Sequence, residues 1–76
     1  MSQNKKNIAV IGATGFVGLD LINLLTKHPK VKILNLCAQK SVGKSIKLFD
    51  KRINKKLPKI SKVSNIKWDK LDLIFL

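Results

Sequence analysis

The alternation of apolar and polar positions divides the chain into a strand-like run, a helix-like stretch, a second strand-like run, a long basic connection and a last apolar run. Asn7 to Ile11 is β-branched and apolar on both faces, the pattern of a strand in the middle of a parallel sheet covered above and below. Beyond a glycine-bearing turn, Val17, Leu21, Leu24, Leu25 and His28 keep helical spacing, with Asp20, Asn23 and Lys27 on the other side. Asp20 near the positive helix start and Lys27 near its negative end suit the macrodipole, and Pro29 stops the helix. Val31 to Cys37 reads as a second strand, making a right-handed βαβ unit. Leu48 to Lys56 is a basic connection, and Leu57-Pro58 interrupts any helix there. In the mixed stretch Lys59 to Lys67, Ile60, Val63 and Ile66 recur at a spacing of three, and Ile66 to Trp68 is a candidate short third strand. Leu71 to Leu76 reads as a buried strand parallel to the first, whereas Met1 to Lys5 is polar and frayed.

The turn between the first strand and the helix carries the chemistry. It reads Gly12-Ala13-Thr14-Gly15-Phe16-Val17-Gly18, with a glycine at every third position. Gly12 permits the sharp exit from the strand, Gly15 lets a ligand approach the backbone of the first helical turn, and Gly18 lets the helix pack closely on the strand. Unpaired N–H donors and the positive end of the helix dipole favour a bound pyrophosphate. The gap between the first two glycines is one residue longer than in the commonest dinucleotide fingerprint. The flanking strand and helix still make dinucleotide binding the natural reading, in a Rossmann-type doubly wound α/β fold.

The residues after the second strand bear on which dinucleotide. An acid about twenty residues past the glycine turn takes a ribose 2′-hydroxyl, whereas a basic residue accommodates a 2′-phosphate. Here Ala38-Gln39-Lys40-Ser41-Val42-Gly43-Lys44 contains no acid, so NADP is favoured over NAD, with Lys40 and Ser41 as contacts and Lys44 as a weaker one. The same stretch, continued to Ser45, nearly matches a phosphate-cradling P-loop, with Ala38 in place of its first glycine. Ile46, Phe49, Ile53 and Leu57 could line one face of a helix following it. Against a nucleotide triphosphatase, Asp72 stands near the start of its apolar run, whereas a magnesium-binding acid is expected after one.

Composition narrows the reading further. Seventy-six residues allow one small domain at most, and a chain that closes on an apolar run with no polar tail is expected to be the N-terminal piece of a longer protein, poorly stable by itself. The formal net charge is +12, a field that attracts polyanions. The lysines form no single stripe, however, and the four aromatics do not interleave with them as a stacking platform for single strands requires, so nucleic acid is not the expected partner. Cys37 is the sole cysteine, which excludes an intrachain disulfide, and its place in an apolar run makes it a small buried hydrophobe. His28 lacks neighbours at metal-ligand spacing, so no metal is expected. The apolar stretch after Lys5 and Lys6 contains glycines and leads into Asp20 without a cleavage site, and no run is long enough to span a membrane; a cytoplasmic protein is expected.

Together these features resemble N-acetyl-gamma-glutamyl-phosphate reductase, an enzyme family of arginine biosynthesis. The resemblance rests on Gly12 to Gly18, the Leu24-Leu25 to His28-Pro29 helix end, the Ser41-Val42-Gly43-Lys44 loop and the closing Leu71 to Leu76 strand. Some of these are shared with aspartate-semialdehyde dehydrogenases, and at positions 38 and 39 the chain has Ala and Gln where the reductase pattern has Ser and Arg. The resemblance implies that residues 1–76 are the N-terminal part of an NADP-binding domain, with Gly12, Ala13, Thr14, Gly15, Phe16, Val17, Lys40 and Ser41 at the cofactor. It also implies a homo-oligomeric full-length enzyme and reductive dephosphorylation of a small acyl phosphate. In that reaction a cysteine thiolate attacks the acyl group, phosphate leaves, and hydride from NADPH releases the semialdehyde. Neither Cys37 nor His28 matches the family's catalytic pair, so this segment supplies no catalytic residue and is expected to be inactive alone.

Overall fold

The computed structural model describes residues 5–53 and 55–76. The frayed start expected at Met1 to Lys5 lies outside the described residues but for Lys5, which leads into the first strand. Strand β1 (Lys6–Ile11) is followed by helix α1 (Phe16–Thr26), strand β2 (Val31–Cys37), a short β3 (Ile60–Ser61) and β4 (Leu73–Phe75). All strand pairings are parallel, in the order β3-β2-β1-β4. The chain thus steps outward from β1 through β2 to β3, then returns to the other side of β1. The carboxyl end of β1 lies at this topological switch, where ligands of open α/β sheets bind.

Alternation along β1 explains why it must be apolar throughout. Ile8 and Val10, both at most 1% exposed, join Ile22 of α1 and Leu36 of β2 in one cluster. Ala9 points the other way, into a cluster with Cys37 and Ile66, and Ile11 and Leu71 pack against it. The β3–β4 connection therefore crosses the face opposite α1. It winds the sheet on its second side with 3₁₀ turns at Val63–Asn65 and Trp68–Lys70 rather than an α-helix. At the start of β4, Asp72 Oδ2 accepts the Asn7 N–H at 2.8 Å while the Asp72 N–H donates to the Asn7 carbonyl at 2.7 Å. This acid clamps two strands together.

Several sequence expectations need correction. Helix α1 turns Ile22 and Asn23 inward and leaves Val17 and Leu24 80% and 66% exposed. Apolar residues nearly encircle it, so spacing could not select the buried face. The helix ends at Thr26, before Pro29, with the Lys27 and His28 N–H groups bonded to the Leu24 and Leu25 carbonyls. Asp20 lies beyond the first turn, where its partner is Arg52 at 2.6 Å rather than the helix dipole. No α-helix covers residues 46–57 among those described; a 3₁₀ turn at Ile46–Leu48 and further turns instead bury Ile46 and Ile53 against the core. The third strand is Ile60–Ser61, not Ile66 to Trp68. Strand β4 is parallel to β1 as expected, but it is not buried: Leu73 is 53% and Ile74 39% exposed, and β4 lies at one edge of the sheet.

Candidate functional site

The glycine turn is bonded firmly to the end of β2. The Cys37 carbonyl accepts both the Gly12 N–H at 2.9 Å and the Ala13 N–H at 3.0 Å, and the Gly15 N–H donates to the Gly12 carbonyl at 3.1 Å. Gly12 has φ +80°, a left-handed conformation that glycine adopts without strain. A Cβ on Gly18 would lie 2.3 Å from the Gly12 oxygen, so helix and turn meet backbone to backbone. Gly15, by contrast, is the helix N-cap at φ −75°, and a Cβ there would meet that oxygen at an ordinary 3.5 Å. Packing requires Gly18; nothing inside the fold requires Gly15.

These bonds sort the predicted phosphate contacts. Ala13 is fully buried and its N–H is committed to Cys37, so Ala13 serves the core, and Gly12 shapes the turn. Among the described residues no backbone acceptor takes the N–H groups of Thr14, Phe16 or Val17, which stand at the open end of α1. Phe16 and Val17 are 93% and 80% exposed.

Two cavities flank the turn and share Gly12. The larger, about 830 Å³, has walls from three elements: Gly12 and Thr14 of the turn, Ala38, Gln39 and Lys40 after β2, and Lys62, Val63 and Ser64 after β3. The smaller, about 370 Å³, is apolar and opens between the start of α1, at Gly15 and Val17, and the end of β4, at Phe75 and Leu76. Among the described residues no Asp or Glu side chain borders either cavity.

Lys40 borders the larger cavity, whereas Ser41 and Lys44 are not part of its wall. Ser41 has φ 69°, a strained conformation for a non-glycine residue. The loop that imposes it is anchored on β3: the Gly43 N–H donates to the Ile60 carbonyl at 2.7 Å, and the Ile60 N–H to the Lys44 carbonyl at 3.0 Å. These bonds flatten the P-loop-like stretch against the sheet. With its backbone turned to β3 and no α-helix behind it, the stretch cannot cradle a triphosphate. No sequence pattern points to Lys62, Val63 and Ser64, because a two-residue strand gives no periodic signal; once β3 is placed, its carboxyl end must open on the same edge as that of β2.

The other candidates have structural roles. Cys37 is fully buried, its Sγ 3.8 Å from Ser61 Oγ. His28 Nδ1 accepts the Lys30 N–H in the turn after α1. Arg52 donates to both Asp50 oxygens and to Asp20, tying the 46–53 segment to α1 away from the cavities; the hydrogen bonds from Arg52 hold the Asp50 carboxyl below the usual range. Among the described residues no group of three or more His, Cys, Asp or Glu could hold a metal ion.

Comparison with known proteins agrees with this arrangement. The chain is 46% identical over 72 residues to an N-acetyl-gamma-glutamyl-phosphate reductase of Ehrlichia canis, covering 92% of this chain and 21% of that protein. It is 40% identical over 68 residues to the reductase of the same name from Brachyspira hyodysenteriae, covering 90% of this chain and 19% of that protein. The chain thus spans about a fifth of the length of these relatives. Among solved structures, aspartate semialdehyde dehydrogenase with NADP from Candida albicans superposes with a TM-score of 0.71 at 30% identity, over 92% of this chain and 22% of that one. The family model described as semialdehyde dehydrogenase, NAD binding domain, matches residues 7–76. An α/β unit with its glycine turn at the switch point, matched over nearly its whole length, belongs to the semialdehyde dehydrogenase NAD-binding domain family.

Proposed function

We propose that this chain is the NADP-binding part of an enzyme that reductively dephosphorylates N-acetyl-glutamyl 5-phosphate to the 5-semialdehyde. The observation that carries the reading is the pair of cavities separated by the glycine turn, with the free N–H groups of Thr14, Phe16 and Val17 on the ridge between them. A dinucleotide has that form: two nucleosides joined by a pyrophosphate, which the helix start stabilises electrostatically. Gly15 contributes the absence of a side chain, so that the phosphates can approach, while Gly12 and Ala13 hold the ridge against β2. Lys40, with Ser41 beside it, faces the 2′-phosphate, and the carboxylate-free cavity wall disfavours NAD. When bound, the cofactor supplies hydride; the residues of this chain bind and orient it.

The substrate is a small acyl phosphate, and the same reading has the full-length enzyme act as a homo-oligomer in the cytoplasm, without nucleic acid. Among the described residues no helix is long and apolar enough to cross a membrane. The reading is tested by following NADPH oxidation by the full-length protein with N-acetyl-glutamyl phosphate and, in parallel, aspartyl phosphate. Turnover of the first alone is expected. Turnover of aspartyl phosphate alone would make the protein an aspartate-semialdehyde dehydrogenase, the reading favoured by its likeness to the Candida albicans structure.

A further inference from the structure

We infer that Lys62, on the loop leaving β3, is the second cation of the 2′-phosphate subsite and shares with Lys40 the discrimination between NADPH and NADH. This inference rests on the dinucleotide reading of the larger cavity. Strand β3 pairs Leu36 with Ile60 and Cys37 with Ser61, so the next step of the register sets Lys62 beside Ala38. The Ala38 N–H donates to the Ser61 carbonyl at 3.4 Å, fixing the two strand ends together. From there the chain after β2 carries Lys40 along one wall of the cavity, and the chain after β3 carries Lys62 and Ser64 along the next.

Charge explains why two cations should meet there. The ion pairs among the described residues all belong to Arg52, so neither Lys40 nor Lys62 has a carboxylate partner, and none borders the cavity. Two ammonium groups on adjacent walls repel unless an anion lies between them. A phosphate monoester carries nearly two negative charges at neutral pH and three acceptor oxygens. Lys40 alone would neutralise half of that charge. A ribose 2′-hydroxyl, uncharged, gains little from either lysine, so Lys62 should act on selectivity rather than on overall binding.

The test is calorimetric titration of the full-length protein with NADPH and NADH, for wild type, Lys62→Met, Lys62→Arg and Lys40→Met. Lys62 is exposed, so an unchanged melting curve for Lys62→Met is expected to accompany the binding data. Lys62→Met should weaken NADPH at least about tenfold, the loss of one hydrogen bond to a charged group, and leave NADH unchanged, while Lys62→Arg keeps the preference. A Lys62→Met protein that retains the wild-type preference, or that loses affinity equally for both nucleotides, overturns the role of Lys62 while leaving the dinucleotide reading intact. A wild type that binds neither nucleotide overturns both.

Discussion

Gly18→Ala and Gly15→Ser separate what the fold needs from what the ligand needs. At Gly18 the added Cβ would lie 2.3 Å from the Gly12 oxygen and 3.1 Å from the carbonyl carbon and Cα of Ala13. All three are backbone atoms held by the bonds to Cys37, so no side chain can give way. Restoring an ordinary 3.4 Å contact requires the start of α1 to move by about 1.1 Å. Overpacking of this kind costs about 1–3 kcal/mol, against which alanine's better helix propensity returns up to about 1 kcal/mol. A net loss of about 1–2 kcal/mol is expected, with weaker nucleotide binding because the free N–H groups move with the helix. At Gly15 a Cβ fits, and a serine hydroxyl at this N-cap accepts an N–H from the first helical turn. Gly15→Ser should therefore keep or raise stability, yet weaken NADPH at least about tenfold by occupying a donor that the pyrophosphate needs. Urea unfolding and NADPH fluorescence titration of the full-length variants read the two effects. If Gly15→Ser binds as tightly as wild type, or Gly18→Ala unfolds at the wild-type urea concentration, the division of labour between these glycines is refuted.

Other consequences are open to measurement. Ile53 is 1% exposed in the main cluster, so Ile53→Ala should cost about 2–5 kcal/mol in denaturant unfolding despite lying outside any helix or strand; a loss below about 1 kcal/mol would mean that the 46–53 segment is not core. Hydrogen bonds from Arg52 lower the folded-state pKa of Asp50 below its unfolded value of about 4, so its contribution is complete above that pH and fades as pH falls through the folded pKa. Asp50→Asn should accordingly be less stable than wild type from neutral pH down to about pH 5, with the difference closing in stronger acid; a pH-independent difference would discount the ion pair. Lys40→Met should weaken NADPH and spare NADH, and equal losses for both would remove Lys40 from the 2′-phosphate.

How far the sequence could be read follows from where the signals lie. Strand β2 matches its expected span, Val31 to Cys37, and β1 lies between two partners, because continuous apolar runs have one place to go in a covered parallel sheet. The glycine turn was legible because each glycine answers a local backbone demand. The buried face of α1 was not, since Val17, Leu19, Leu21, Ile22, Leu24 and Leu25 leave hardly any polar side to contrast. Residues 46–66 resisted reading for another reason: Ile46, Ile53, Ile60 and Ile66 are buried singly, each delivered by a turn or a two-residue strand without period. The same irregular path brings Lys62 to the cavity. The edge position of β4 is likewise a matter of strand order, which apolar content alone does not reveal.

Whether the glycine turn holds the dinucleotide is decided by a crystal structure of the full-length protein with NADP. Pyrophosphate oxygens are expected about 3 Å from the Phe16 and Val17 nitrogens, with the adenosine in the cavity between Lys40 and Lys62 and the 2′-phosphate against those two lysines. A nucleotide bound away from the Gly12–Gly18 turn, or one whose 2′-phosphate touches neither lysine, would contradict this placement.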